Sequence, residues 1–151
     1  MSKQGERTPG QIVMRLLFLA YCALMLWLLF GQRMDAGTAE QNWNLIPFQT
    51  LKLYVRLLQS TQNAYLLRHA FINLVGNVVM FIPLGFFLPA IWVTMRKFFV
   101  CALCTTLVIV TIEALQYLTS LGSCDIDDLI LNLPGAMLGW GLYRLICRKR
   151  K

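Results

Sequence analysis

Charge is scarce in this chain. Of its 151 residues 14% are charged and seven are acidic, against roughly 25% charged in an ordinary soluble domain. With 58% hydrophobic residues and a mean hydropathy of +0.60, the shortage argues against a water-soluble domain and points to a bilayer as solvent. Histidine is scarcer still: His69 is the only one. It sits beside Arg68 at the edge of an apolar run and reads as an interfacial residue, so no familiar nucleophile–base pair is visible. Basic stretches interleaved with aromatics are missing outside the apolar segments, which argues against nucleic acid as a partner. Five cysteines, an odd count, argue against a disulfide framework. Cys101 and Cys104 form a C-x-x-C inside an apolar helical run and read as small buried hydrophobes. Cys124 alone stands beside polar residues.

What is present is length without charge. Four stretches, Ile12–Phe30, Phe71–Trp92, Phe98–Tyr117 and Leu129–Ile146, approach the roughly 20 apolar residues a spanning helix needs. They predict one domain over residues 1–151, an all-α integral membrane bundle of four transmembrane helices at about 12–30, 71–92, 98–118 and 128–147. The first run is long, rich in Leu and Trp, and ends well before the small residues Ala36, Gly37 and Ala39. It therefore reads as an uncleaved anchor, with Arg15 snorkelling to the near interface, and not as a signal peptide.

Basic residues set the expected direction. With the N-terminus inside, Lys3, Arg7, Arg15, Arg96, Lys97, Arg144, Arg148, Lys149, Arg150 and Lys151 face the cytoplasm, ten in all. Arg33, Lys52, Arg56 and Arg68, four in all, lie outside. The bias predicts both termini in the cytoplasm. Residues 31–70 then form an extracytoplasmic loop, in which Leu51, Tyr54, Val55 and Leu58 recur at helical spacing opposite Lys52 and Arg56. That pattern suits an interfacial helix on the membrane surface or a helix packed over the bundle mouth.

Orientation gathers the polar residues of the spans at one depth. Asn77 falls about 12 Å along a span starting near His69, and Glu113 about 10 Å below Ser120. Asn73 with Asn77, Glu113 with Gln116 and Tyr117, and Asp125 with Asp128 and Asn132 each share a helical face, which Gly135 and Gly139 extend. A charge inside the membrane costs on the order of 2.5–3.5 kcal/mol, so these faces point into the bundle. Gly135-Ala-Met-Leu-Gly139 permits close backbone approach to a neighbouring helix, and Gly76 and Gly85 offer the same on the second span. Pro83 and Pro134 mark expected bends.

One of Asp125, Asp127 and Asp128 is accounted for as a helix cap. Three acids in four positions exceed that need, and with Glu113 they predict an outward-facing acidic pocket. Its candidate ligand-binding residues are Asn73, Asn77, Glu113, Gln116, Asp125, Asp128 and Asn132. Asp125, Asp128 and Glu113 are candidate ligands for a divalent cation such as Mg²⁺ or Ca²⁺, and Glu113 is the candidate acid/base. A purely structural hydrogen-bond network fits the same residues.

In this order the motifs resemble the VanZ-like membrane proteins of bacteria. The likeness rests on Asn44-Leu-Ile-Pro-Phe48, Asn73-x-x-Gly-Asn77, Phe81-x-Pro-x-Gly85, Glu113-x-x-Gln116, Asp125-x-Asp-Asp128 and Asn132-x-x-Gly135-x-x-x-Gly139. It implies a multi-pass protein of the bacterial cytoplasmic (inner) membrane with a cell-envelope role. The family's name comes from a member linked to low-level resistance to the glycopeptide teicoplanin. The expected partners are the bilayer and an envelope lipid or peptidoglycan precursor, bound without chemistry at the outer pocket. Two alternatives stay open: an enzyme acting on a lipid-linked phosphate or sugar head group with a divalent cation, and a small ion-coupled transporter using Glu113, which would need a homo-oligomer. An arginine common in the family just before the aspartates is missing from Leu121-Gly-Ser-Cys124. Arg68, a metal or protonation would have to neutralise the acids instead.

Overall fold

The computed structural model describes residues 8–31, 43–121 and 124–148. Lys3, Arg7, Arg33, Lys149, Arg150 and Lys151, part of the orientation count, lie outside the described residues, as do Ala36, Gly37, Ala39, Gly122 and Ser123. The described chain is helical apart from two short strands and the turns that join the elements. In order it forms α1 (Pro9–Leu26) continued by a π turn (Trp27–Gly31), β1 (Trp43–Asn44), α2 (Gln49–Ser60), α3 (Ala64–Ile91), a 3-10 turn (Val93–Arg96), α4 (Phe98–Leu118), β2 (Cys124–Asp125) and α5 (Ile126–Arg148). Four helices are long and apolar enough to cross a membrane: Pro9–Gly31, Ala64–Ile91, Phe98–Leu118 and Ile126–Cys147.

Helix ends follow local chemistry. Pro9 opens α1 at a position where its missing N–H costs nothing, and Gln11 Oε1 accepts from the Thr8 N–H at 3.3 Å. The second span starts at Ala64, seven residues before the expected Phe71. Asn63 causes this: its Oδ1 caps the Tyr65 and Leu66 N–H groups at 3.0 and 3.4 Å. Counting apolar residues missed these two turns because Arg68 and His69 interrupt the run. The helix then continues through both Pro83 and Pro89. At the far end of α4, Ser120 takes a left-handed φ of 55°. The Ser120 N–H reaches the Tyr117 carbonyl at 3.1 Å and the Leu121 N–H the Gln116 carbonyl at 3.0 Å. This is a Schellman stop built on serine where glycine is usual.

The most extensive interface joins α3 to α5, and glycine makes it. A Cβ on Gly85 would sit 1.7 Å from the Ala136 carbonyl oxygen, one on Gly135 2.1 Å from that of Val78, and one on Gly139 1.9 Å from that of Ile82. The two backbones therefore touch. Gly76 does not share this role, since its Cβ would meet only Ile72 Cγ2 at 3.8 Å. Helix α4 also packs against α5, and it buries a row of Cys101, Thr105, Ile109, Glu113 and Gln116.

Helix α1 attaches more lightly, with Met25 its one buried residue. The Tyr21 hydroxyl donates to the Met80 carbonyl of α3 at 2.8 Å. Phe18 sets its ring edge-on to Phe87 and Trp92. Where α3 ends and α4 begins, Trp140 Nε1 donates to the Met95 carbonyl at 3.1 Å and Arg96 Nε to that of Pro89 at 3.3 Å. Helix α2 packs against α3 and α5. It thus covers the bundle mouth while Leu53, Val55 and Leu58 remain exposed.

Candidate functional site

The polar side chains meet where α3 and α5 begin and α4 ends. A parallel two-stranded ladder closes this end, pairing Trp43 with Cys124 and Asn44 with Asp125. Asp125 therefore belongs to strand β2, and the expectation of one helical stripe through Asp125, Asp128 and Asn132 is corrected: α5 starts only at Ile126. From the strand, the Asp125 carboxylate accepts Asn44 Nδ2 at 3.1 Å and the Thr50 hydroxyl at 2.6 Å. Its own N–H donates to Glu113 Oε2 at 3.2 Å, which ties in α4.

Asp127 is the residue that reading the sequence under-valued. It is 1% exposed, and its two carboxylate oxygens take the backbone N–H groups of Phe48 and, at 2.9 Å, Leu51. Those are orphan donors at the start of α2, whose own N-cap position holds Phe48 at a φ of 65° with no capping side chain. A carboxylate from a distant helix thus does the work normally done by a local Ser, Thr, Asp or Asn, with the helix dipole favouring its charge. The anticipated cap exists, but it caps another helix. The missing arginine is answered in the same way, since Asp125 and Asp127 are held by amide and hydroxyl donors.

Asp128 accepts Asn77 Nδ2 at 2.6 Å, binding α5 to α3. Cys124 senses the cluster: burial pushes its thiol pKa above the usual range, and the charges of Glu113, Asp125 and Asp128 push it further. Among the described residues, no three His, Cys, Asp or Glu side chains form a group that could hold a metal ion.

Two expected members take other partners. Asn73 turns back along α3, with Nδ2 3.1 Å from His69 Nδ1 and 2.9 Å from the His69 carbonyl oxygen. It lines a separate cleft of about 250 Å³ with Tyr65, Arg68, His69 and Ile72. Gln116 Nε2 donates to the Leu29 carbonyl at 3.1 Å, fastening the π turn after α1. Asn132 is 5% exposed, and its Oδ1 has no hydrogen-bond partner among the described residues. It lies one turn below Asp128 on α5.

Comparison with known proteins gives this arrangement its relatives. A sequence profile described as VanZ/LLP1 matches residues 18–147. A protein of Enterococcus faecium named Protein VanZ is 29% identical over 143 residues, covering 90% of this chain and 76% of that protein. No solved structure matches the chain. The matched stretch takes in the later part of the first apolar helix, the other three, the strand pair and every acid of the cluster, and the chain belongs to the VanZ/LLP1 family of membrane proteins.

Proposed function

We propose that this chain is a non-catalytic, multi-pass protein of the bacterial cytoplasmic membrane that receives the head group of an envelope lipid or cell-wall precursor at its outer face. Both termini lie in the cytoplasm in this reading, which the excess of ten basic residues over four supports. The acidic end with its α2 cover then faces outward, the side on which peptidoglycan precursors are used and glycopeptides such as teicoplanin act.

One observation carries the reading. Asn132 Oδ1 is a buried acceptor with no partner among the described residues, set one turn below Asp128, which is itself engaged by Asn77. An unmet acceptor of this kind costs roughly 1–3 kcal/mol. A hydroxyl or amide N–H of a sugar- or peptide-bearing head group would satisfy it. In this reading the Asn77–Asp128 pair, one helical turn from Asn132, and Glu113 belong to the same site, while Asp125 and Asp127 hold the cover in place.

The test is thermal unfolding of the detergent-solubilised protein with and without a bacterial envelope lipid extract, Mg²⁺ and Ca²⁺. The extract raises the wild-type midpoint. Asn132→Leu, close in shape, keeps the basal midpoint and loses the rise. A rise that survives Asn132→Leu, or no rise in the wild type, would sink the proposal.

A further inference from the structure

The opposite end of the bundle holds a second arrangement that the acidic cluster does not use. Along α3, Ile91 lies fourteen residues beyond Asn77, about 21 Å at the helical rise. Here Arg15 enters the seam between α1 and α3, half-buried within an otherwise apolar span. On one side it shares a notch of about 40 Å³ with Gln11, Met14, Ala90 and Ile91. On the other it heads a groove of about 270 Å³ lined by Phe18, Leu19, Ile91 and Trp92. The two spaces share Arg15 and Ile91 in their walls.

Charge distribution says what belongs there. The described acids are Glu113, Asp125, Asp127 and Asp128, and all four sit at the other end. Arg96 shares the Arg15 end through the Pro89 carbonyl, and Arg144 does so through Trp140, over whose ring it lies at 5.4 Å. Among the described residues no carboxylate can neutralise Arg15. A cation inside an apolar span is costly unless it finds an anion or reaches the interface. Guanidinium suits a phosphate oxygen pair, and an apolar groove leading away from it suits an acyl chain.

We propose that Arg15, with Gln11 beside it, binds the phosphate of an anionic phospholipid, one of whose acyl chains lies in the groove of Phe18, Leu19, Ile91 and Trp92. The lipid fills the seam where α1 is held mainly by Tyr21 and Phe18, and so fastens the first span to the bundle. The site is independent of the outer head-group reading, and the two are tested by different variants.

The experiment is native mass spectrometry with thermal unfolding on the detergent-solubilised full chain. Phosphatidylglycerol, phosphatidylcholine with the same acyl chains, and glycerol 3-phosphate are added in separate arms. Phosphatidylglycerol binds one-to-one and raises the midpoint, and phosphatidylcholine does so far less. Arg15→Gln weakens phosphatidylglycerol binding about tenfold, the loss of one charge-assisted contact. Leu19→Trp, at an exposed position, blocks the groove and gives a comparable loss with Arg15 intact. Arg56→Gln on α2 leaves binding unchanged. Equal binding of the two phospholipids, or unweakened binding to both Arg15→Gln and Leu19→Trp, overturns the proposal. A full rise from glycerol 3-phosphate alone overturns the acyl-groove part and makes a free phosphate ester the ligand.

Discussion

The buried carboxylate of Asp127 accepts the backbone N–H of Leu51, 76 residues earlier, at 2.9 Å. One side chain thereby finishes a helix that its own neighbourhood leaves open. Asp127→Ala would strip acceptors from the Leu51 and Phe48 N–H groups together. The expected loss is about 3 kcal/mol, with faster hydrogen exchange confined to residues 48–60. Asp127→Asn, retaining one acceptor oxygen, should lose about half as much. Uniform loosening of all helices in Asp127→Ala would contradict a local cap.

Glycine substitutions should divide sharply. Gly85→Ala, Gly135→Ala and Gly139→Ala each drive a methyl into a facing carbonyl, so thermal unfolding should show large losses at all three. Gly141→Ala meets nothing within 4 Å and should be neutral or stabilising by up to about 1 kcal/mol. Gly76→Ala should be tolerated too. Equal losses at Gly76 and Gly139 would remove the close α3–α5 contact from the account.

Cys124 gives the cluster a chemical reporter. Its pKa is raised, first by burial and then by Glu113, Asp125 and Asp128. Near neutral pH it therefore holds less reactive thiolate than a free cysteine, and labelling should accelerate as pH rises toward the elevated pKa. Removing one negative charge with Asp128→Asn lowers the pKa and should speed maleimide labelling at fixed pH, followed by peptide mass spectrometry. A rate that stays flat or falls in that variant would mean that Asp128 is not felt at the thiol.

Ser120 is a place where the chain accepts strain. A left-handed φ of 55° disfavours any residue with a Cβ. Ser120→Gly should raise stability by up to about 1 kcal/mol in denaturant titration, provided the Schellman bonds are kept.

The four apolar helices and the Gly135–Gly139 contact were legible in the sequence because each leaves a long or periodic trace. So was the meeting of Asn77 with Asp128 and of Glu113 with the aspartates, since the direction of each span fixes depth. Three features left no such trace. A two-residue strand has no periodicity, so Asp125 read as helix. Capping signals are sought beside the helix they cap, and Asp127 caps from another one. The amide of Asn73 had two partners within reach by spacing, Asn77's neighbours or its own previous turn, and local geometry chose His69.

The strand pair and the Asp127 cap also impose an order in time. Trp43, Asn44 and the start of α2 leave the ribosome well before Cys124 and Asp127 exist. Until translation has passed α4, the nascent segment of residues 43–60 has neither its partner strand nor its cap. A chain halted before Cys124 should therefore keep α1, α3 and α4 yet leave that segment open to protease, and completion of α5 should close it. The last helix made is the one that locks the first loop.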